Sequence, residues 1–117
     1  MLVAIAADGD QGMEAQAAQH FGRCSHYIMV EVADNVPGKV SSVENPFFNQ
    51  HGDTGQVPAF IKDQGADVMI SGGMGGRAIE FFNEFKIAVC TGASGKVRDV
   101  IKAYIDGSLS GASGCGN

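Results

Sequence analysis

The sequence predicts an α/β fold in which a mixed sheet is covered by helices on both faces. Three observations carry that expectation. Leu2–Ala7 is an unbroken apolar run of strand length, the mark of a central strand buried on both sides. An alternating stretch and a hairpin come next, before any strong helical pattern, so the sheet starts antiparallel. Two further apolar runs, around Val68–Ile70 and Ile87–Cys90, are each followed by a helical pattern, as strand–helix units require.

The elements follow in order. After the first strand, Asp8–Gly12 reads as a loop and the Ala-rich Met13–Gln19 as a short helix. His26–Val32 alternates, with Ile28, Val30 and Val32 on one face, so a half-buried strand is expected. Asn35-Val-Pro-Gly38 has Pro and Gly where a type II turn wants them, and Lys39–Glu44 pairs back, with Val43 its most secure apolar position. Asn45–Gly55 is a polar loop carrying Pro46, Asn49, His51 and Asp53. A helix over Gln56–Gln64 places Val57, Phe60 and Ile61 together, tolerates Pro58 in its first turn, and stops at Gly65. The strand Asp67–Ser71 leads to a helix over Gly76–Phe85, whose inner stripe is Ile79, Phe82 and Phe85. Beyond Ile87–Cys90 lies the clearest helix, with Val97, Val100, Ile101, Tyr104 and Ile105 at i, i+3, i+4, i+7 and i+8, ended by Gly107.

Right-handed crossovers set the last two strands beside the first, giving the order 3-2-1-4-5 with strand 2 antiparallel, a ribonuclease-H-like three-layer arrangement. At 117 residues the chain is expected to form one domain over 1–109, with a mobile Gly/Ser-rich tail at 110–117. A hydrophobic content of 44% against 18% charged residues fits a globular chain, not a disordered one. The net charge of -5, with scattered basic residues, argues against nucleic acid as a partner. No apolar stretch reaches the ~20 residues of a membrane span, and Met1–Ala7 lacks the basic start of a signal peptide. Cys24, Cys90 and Cys115 form no CxxC pair and no disulfide framework, so a reducing cytoplasm is expected.

In such a sheet, ligands sit outside the carboxyl ends of the parallel strands. Four segments meet there: Asp8–Gly12, His20-Phe21-Gly22-Arg23 entering strand 2, Gly72-Gly73-Met74-Gly75-Gly76, and Thr91–Gly95. Four glycines within Gly72–Gly76 let a ligand approach the backbone, and the helix behind them offers unpaired N–H groups to an anion. Gly73-x-Gly75-x-x-Ala78 matches a relaxed dinucleotide fingerprint, but the acidic ribose partner is missing from the next strand end, Val89-Cys90-Thr91. Gly92-Ala-Ser-Gly-Lys96 is too short for a phosphate-binding P-loop. His20 at the rim is a candidate metal ligand, as imidazole commonly is. Arg23 and Arg77 could offset the charge of an anion, and Met74 offers a thioether inside the loop. Cys24 alone cannot hold an iron–sulfur cluster, and Cys90 reads as core. No Ser/His/Asp or paired-carboxylate constellation is legible, so catalysis is not expected.

His20-Phe-Gly-Arg-Cys, Ser71-Gly-Gly-Met-Gly-Gly-Arg-Ala and Thr91-Gly-Ala-Ser-Gly-Lys-Val occur in this order, and with them the chain resembles the dinitrogenase iron-molybdenum cofactor biosynthesis family. The likeness runs from Leu2 to about Leu109. It implies a ribonuclease-H-like fold, His20 as cluster ligand, and the Gly72–Gly76 loop as a wall of the same site. The resulting expectation is a non-enzymatic carrier of an iron–molybdenum or other metal–sulfur cluster, held without covalent anchoring. His20, Phe21, Gly22, Arg23, Gly72–Arg77, Gly92, Ala93 and Gly95 would form its site, and its partners would be cluster donor and acceptor proteins. A nucleotide- or phosphate-binding protein, and a partner-binding module of a cluster assembly pathway, stay open as alternatives.

Overall fold

The structure, a computed structural model, describes residues 1–47, 56–107 and 109 of the 117 in the chain. Asn49, His51, Asp53, Cys115 and the tail 110–117 lie outside the described residues. The apolar run at the N-terminus is β1 (Leu2–Ala7), the centre of a five-stranded sheet. It pairs antiparallel with β2 (His26–Ala33) in a register that sets Leu2 opposite Glu31 and Ala7 opposite His26. On its other side it runs parallel to β4 (Val68–Ile70), Val3 facing Val68 and Ile5 facing Ile70. β3 (Val36–Glu44) and β5 (Ala88–Cys90) form the edges, so the order is β3-β2-β1-β4-β5, as the pattern required.

Alternation across the pleat sorts the core into two halves. Val3, Ile5, Ala7, Ile28, Val30 and Ile70 face α3 (Val97–Asp106), which buries Val97, Val100 and Ile101 against them. Ala4, Ala6, Tyr27, Met29 and Met69 face α1 (Gln56–Asp63) and α2 (Gly76–Glu84), which contribute Val57, Ile61 and Phe82. Helices therefore cover both faces. β2 departs from the half-buried strand expected of it. Tyr27, Ile28, Met29 and Val30 are all buried, because α1 covers the second face and sets Phe60 6.2 Å from the Tyr27 ring.

Three other local expectations fail for identifiable reasons. The hairpin turn is Asp34-Asn35, both with positive φ (52° and 62°), the geometry of a two-residue type I′ turn. Pro37 and Gly38 instead lie within β3, where an edge strand tolerates a residue without an N–H. Val43 is only half-buried, as is Val40, since the rest of β3 is exposed. Met13–Gln19 forms no helix beyond a single 3-10 turn at Gly12–Glu14. Ala15–Gln19 is an extended strap whose small side chains let its backbone lie against the strand ends: the Ala18 N–H donates to the Ala6 carbonyl at 2.8 Å and Ala17 bridges Ala7. Backbone pairing there outweighs the helix propensity of alanine.

Among the described residues no helix is long and apolar enough to cross a membrane. Cys90 is buried in β5, and Cys24 is buried and free.

Candidate functional site

The strap is what closes the rim at the carboxyl ends of β1, β4 and β5. The Gly72 N–H donates to the Ala18 carbonyl at 2.9 Å, and His20 pairs with Gly73 in a parallel bridge. The Phe21 N–H donates to the Gly73 carbonyl at 3.2 Å, an acceptor shared with the hydroxyl of buried Ser71 at 2.9 Å. On the far side, the Gly92 N–H donates to the Gly72 carbonyl at 2.9 Å and the Ala17 N–H to the Gly95 carbonyl at 2.8 Å. The Asp8 loop joins through its own N–H, which donates to the Gln16 carbonyl at 2.8 Å. The four expected segments do converge. The strap that stitches them was missed, because an alanine run is the sequence signal of a helix.

Side chains at the rim divide sharply by burial. His20 is exposed and precedes the 3-10 turn Phe21–Arg23, with φ -119° and no hydrogen bond from its imidazole among the described residues. Gly22 and Arg23 are exposed beside it. Phe21 is not: its ring packs edge-on against Phe82 at 5.2 Å and is an anchor of the segment. Ala93 likewise packs in the core on the α3 side, and half-buried Met74 packs against the cluster on the α2 side. Arg77 is exposed in the first turn of α2.

The backbone supplies what these side chains do not. Among the described residues no acceptor meets the amide N–H of Met74, Gly75, Gly76, Arg77 or Ala78, and no side chain caps α2. The N–H groups of Ser94, Gly95 and Lys96 before α3 are also without acceptors there, and α3 is uncapped by any side chain. Both helices bring the positive ends of their dipoles. A Cβ built on Gly75 or Gly76 would meet nothing within 4 Å, so the backbone is open on the side-chain side of these two glycines. Charge is distributed unevenly. Glu14 binds Lys96 at 2.9 Å and Arg98 at 3.2 Å, and the Lys96 hydrogen bond holds its carboxyl below the usual carboxylate range. Arg23 and Arg77 have no carboxylate partner among the described residues. The uncommitted positive charge is on the His20 and α2 side.

The donor set decides what can bind. Among the described residues no three His, Cys, Asp or Glu side chains come together to hold a metal ion. A bare zinc or iron ion would therefore lack, among the described residues, the three or four protein ligands it ordinarily takes. An anion that brings its own metals and bridging sulfides needs only an open imidazole and N–H donors, and the rim offers both.

Cys24 lies one residue beyond Arg23 but faces inward. Its thiol donates to the Phe21 carbonyl at 3.4 Å, and burial pushes its pKa up to about 11. The thiolate is the nucleophile and the metal ligand, so this sulfur is inert at neutral pH. Iodoacetamide at pH 8 is expected to leave the Cys24 peptide unmodified in the native protein and to label it fully in denaturant, as peptide mass mapping would read. Rapid native labelling would mean that the His20 segment opens.

Comparison with known proteins finds relatives over nearly the whole chain. A family model described as dinitrogenase iron-molybdenum cofactor matches residues 1–107. The crystal structure of PH0822 is 39% identical, covers 100% of both chains and superposes with a TM-score of 0.83. The apo form of the orange protein from Desulfovibrio gigas shares the fold at 24% identity and a TM-score of 0.81, covering 97% of this chain and 93% of its own. An uncharacterized protein of Methanocaldococcus jannaschii is 26% identical over 91 residues, 77% of each chain.

Proposed function

The chain belongs to the dinitrogenase iron-molybdenum cofactor family, and from that membership we propose that it binds and carries an anionic iron–molybdenum or related metal–sulfur cluster without performing catalysis. The observation that carries the reading is the pairing of His20 with Gly73 beside five amides that lack acceptors, at a rim with no multi-ligand metal site among the described residues. His20 supplies one metal bond. The amides of Met74–Ala78 and Ser94–Lys96 face the cluster's sulfides, and Arg23 and Arg77 offset its charge. Each charge-assisted hydrogen bond adds about 1.5–3 kcal/mol, so a handful gives useful affinity. One protein–metal bond also leaves the cluster free to be passed on, from a donor protein to an acceptor.

The test is anaerobic reconstitution with iron, molybdenum and sulfide, followed by metal analysis and visible absorption. The carrier reading expects a coloured protein that retains molybdenum and iron through gel filtration. Protein that emerges colourless and metal-free sinks it. Calorimetry with nucleotides tests the alternative use of the same loops, and binding that survives His20→Ala would favour a phosphate ligand instead.

A further inference from the structure

The segment bearing His20 is latched from beneath by two side chains. The hydroxyl of Tyr27, on β2, donates to the Phe21 carbonyl at 2.9 Å, the oxygen that the Cys24 thiol also reaches. The side-chain amide of Asn45, just past β3, donates to the Cys24 carbonyl at 2.9 Å and to the Gly22 carbonyl at 3.4 Å. Asn45 is itself fixed: its N–H donates to the Ser25 carbonyl and its Oδ1 accepts the Phe47 N–H, both at 2.9 Å, and it is 5% exposed. The residue after His20 is thus held at its N–H by Gly73, at its carbonyl by Tyr27 and Cys24, and at its ring by Phe82. Buried hydrogen bonds of this kind are directional and costly to break. They tie the segment that bears an exposed imidazole to β2 and to the residue that follows β3.

We propose that Tyr27 and Asn45 are positioning residues for His20, setting where its imidazole stands relative to the Gly73–Ala78 amides. The inference rests on the carrier reading. Apolar packing alone would hold the segment in place, since a Phe at position 27 keeps the ring contacts to Phe21 at 6.0 Å and Phe60 at 6.2 Å. The hydroxyl adds direction, and it spends it on a carbonyl one residue from His20.

The full chain is compared as wild type, Tyr27→Phe, Asn45→Ala and His20→Ala. Without cluster, amide hydrogen exchange at Gly22–Cys24 is expected to quicken about tenfold in the two latch variants and to stay at the wild-type rate in His20→Ala. With the reconstituted molybdenum–iron–sulfide cluster, the latch variants should lose about tenfold in affinity, the scale of outer-shell losses at metal sites. Their imidazole-nitrogen coupling in pulsed EPR should broaden or vanish, which a merely structural role would not cause in a protein that still melts normally. If both latch variants match wild type in affinity and nitrogen coupling while His20→Ala does not, positioning is overturned and the carrier reading stands. If His20→Ala also binds as wild type does, the His20 reading itself has failed. Should Asn45→Ala not fold, Tyr27→Phe, which keeps its ring, decides alone.

Discussion

Replacing His20 by Ala should leave the melting temperature within about 2 °C of wild type and weaken cluster binding tenfold or more. The two halves of that expectation have separate causes. The side chain is exposed, makes no hydrogen bond among the described residues and does not cap the 3-10 turn behind it, so its removal leaves neither a cavity nor an orphaned polar group. Surface substitutions of this kind stay within about 0.5 kcal/mol. Binding is different, because among the described residues no group of three or more His, Cys, Asp or Glu side chains is gathered to take over the lost bond. A tenfold loss is about 1.4 kcal/mol, a modest demand on one metal–imidazole bond. Absorption titrations with the reconstituted cluster, with calorimetric melting beside them, read both halves. Undiminished affinity in the variant would remove His20 from the site.

Much of this architecture was legible because burial on both faces writes a strong signal. Leu2–Ala7 and Val68–Ile70 could only be interior strands, and the handedness of their crossovers then fixed the sheet order. The rim followed from topology alone. What stayed hidden depends on long-range partners. Ala15–Gln19 reads as helix because its extended form is imposed by Ala6, Gly72 and Gly95, from three distant parts of the chain. The turn at Asp34-Asn35 lost to the louder Pro-Gly pair, although Asn and Asp are the residues that tolerate positive φ. Tyr27 and Asn45 gave no chemical motif, since a hydroxyl and an amide that serve carbonyls are invisible without coordinates. Asn45-Pro46 did hold one clue, as Asn before Pro favours a turn closed by the Asn side chain, and Oδ1 does accept the Phe47 N–H. Phe21 was placed in the site by its neighbours in sequence, yet as the one large apolar residue of its segment it had to go inward.

The glycine loop itself should split into two behaviours under the same substitution. Gly72→Ala would set its Cβ 2.8 Å from the Gln19 Cα and 3.0 Å from the Ala18 carbonyl oxygen, both backbone atoms that no rotamer change can move. Loop and strap must part, and with them go the bonds that Gly72 makes to Ala18 and accepts from Gly92. Overpacking of this sort costs about 1–3 kcal/mol, so the melting temperature should fall by roughly 10 °C. Cluster binding should fall with it, since the strap carries His20 to Gly73. Gly76→Ala is the contrasting case. Its Cβ enters open space at the first residue of α2, where alanine is the better helix former by about 0.5–1 kcal/mol. Stability should hold or rise, while the added methyl crowds the cluster's approach to the uncapped amides and lowers affinity. Thermal melts and reconstitution titrations on the two variants separate scaffold from contact surface. A Gly76→Ala protein that is more stable and binds as tightly as wild type would show that the cluster does not rest on the α2 amides.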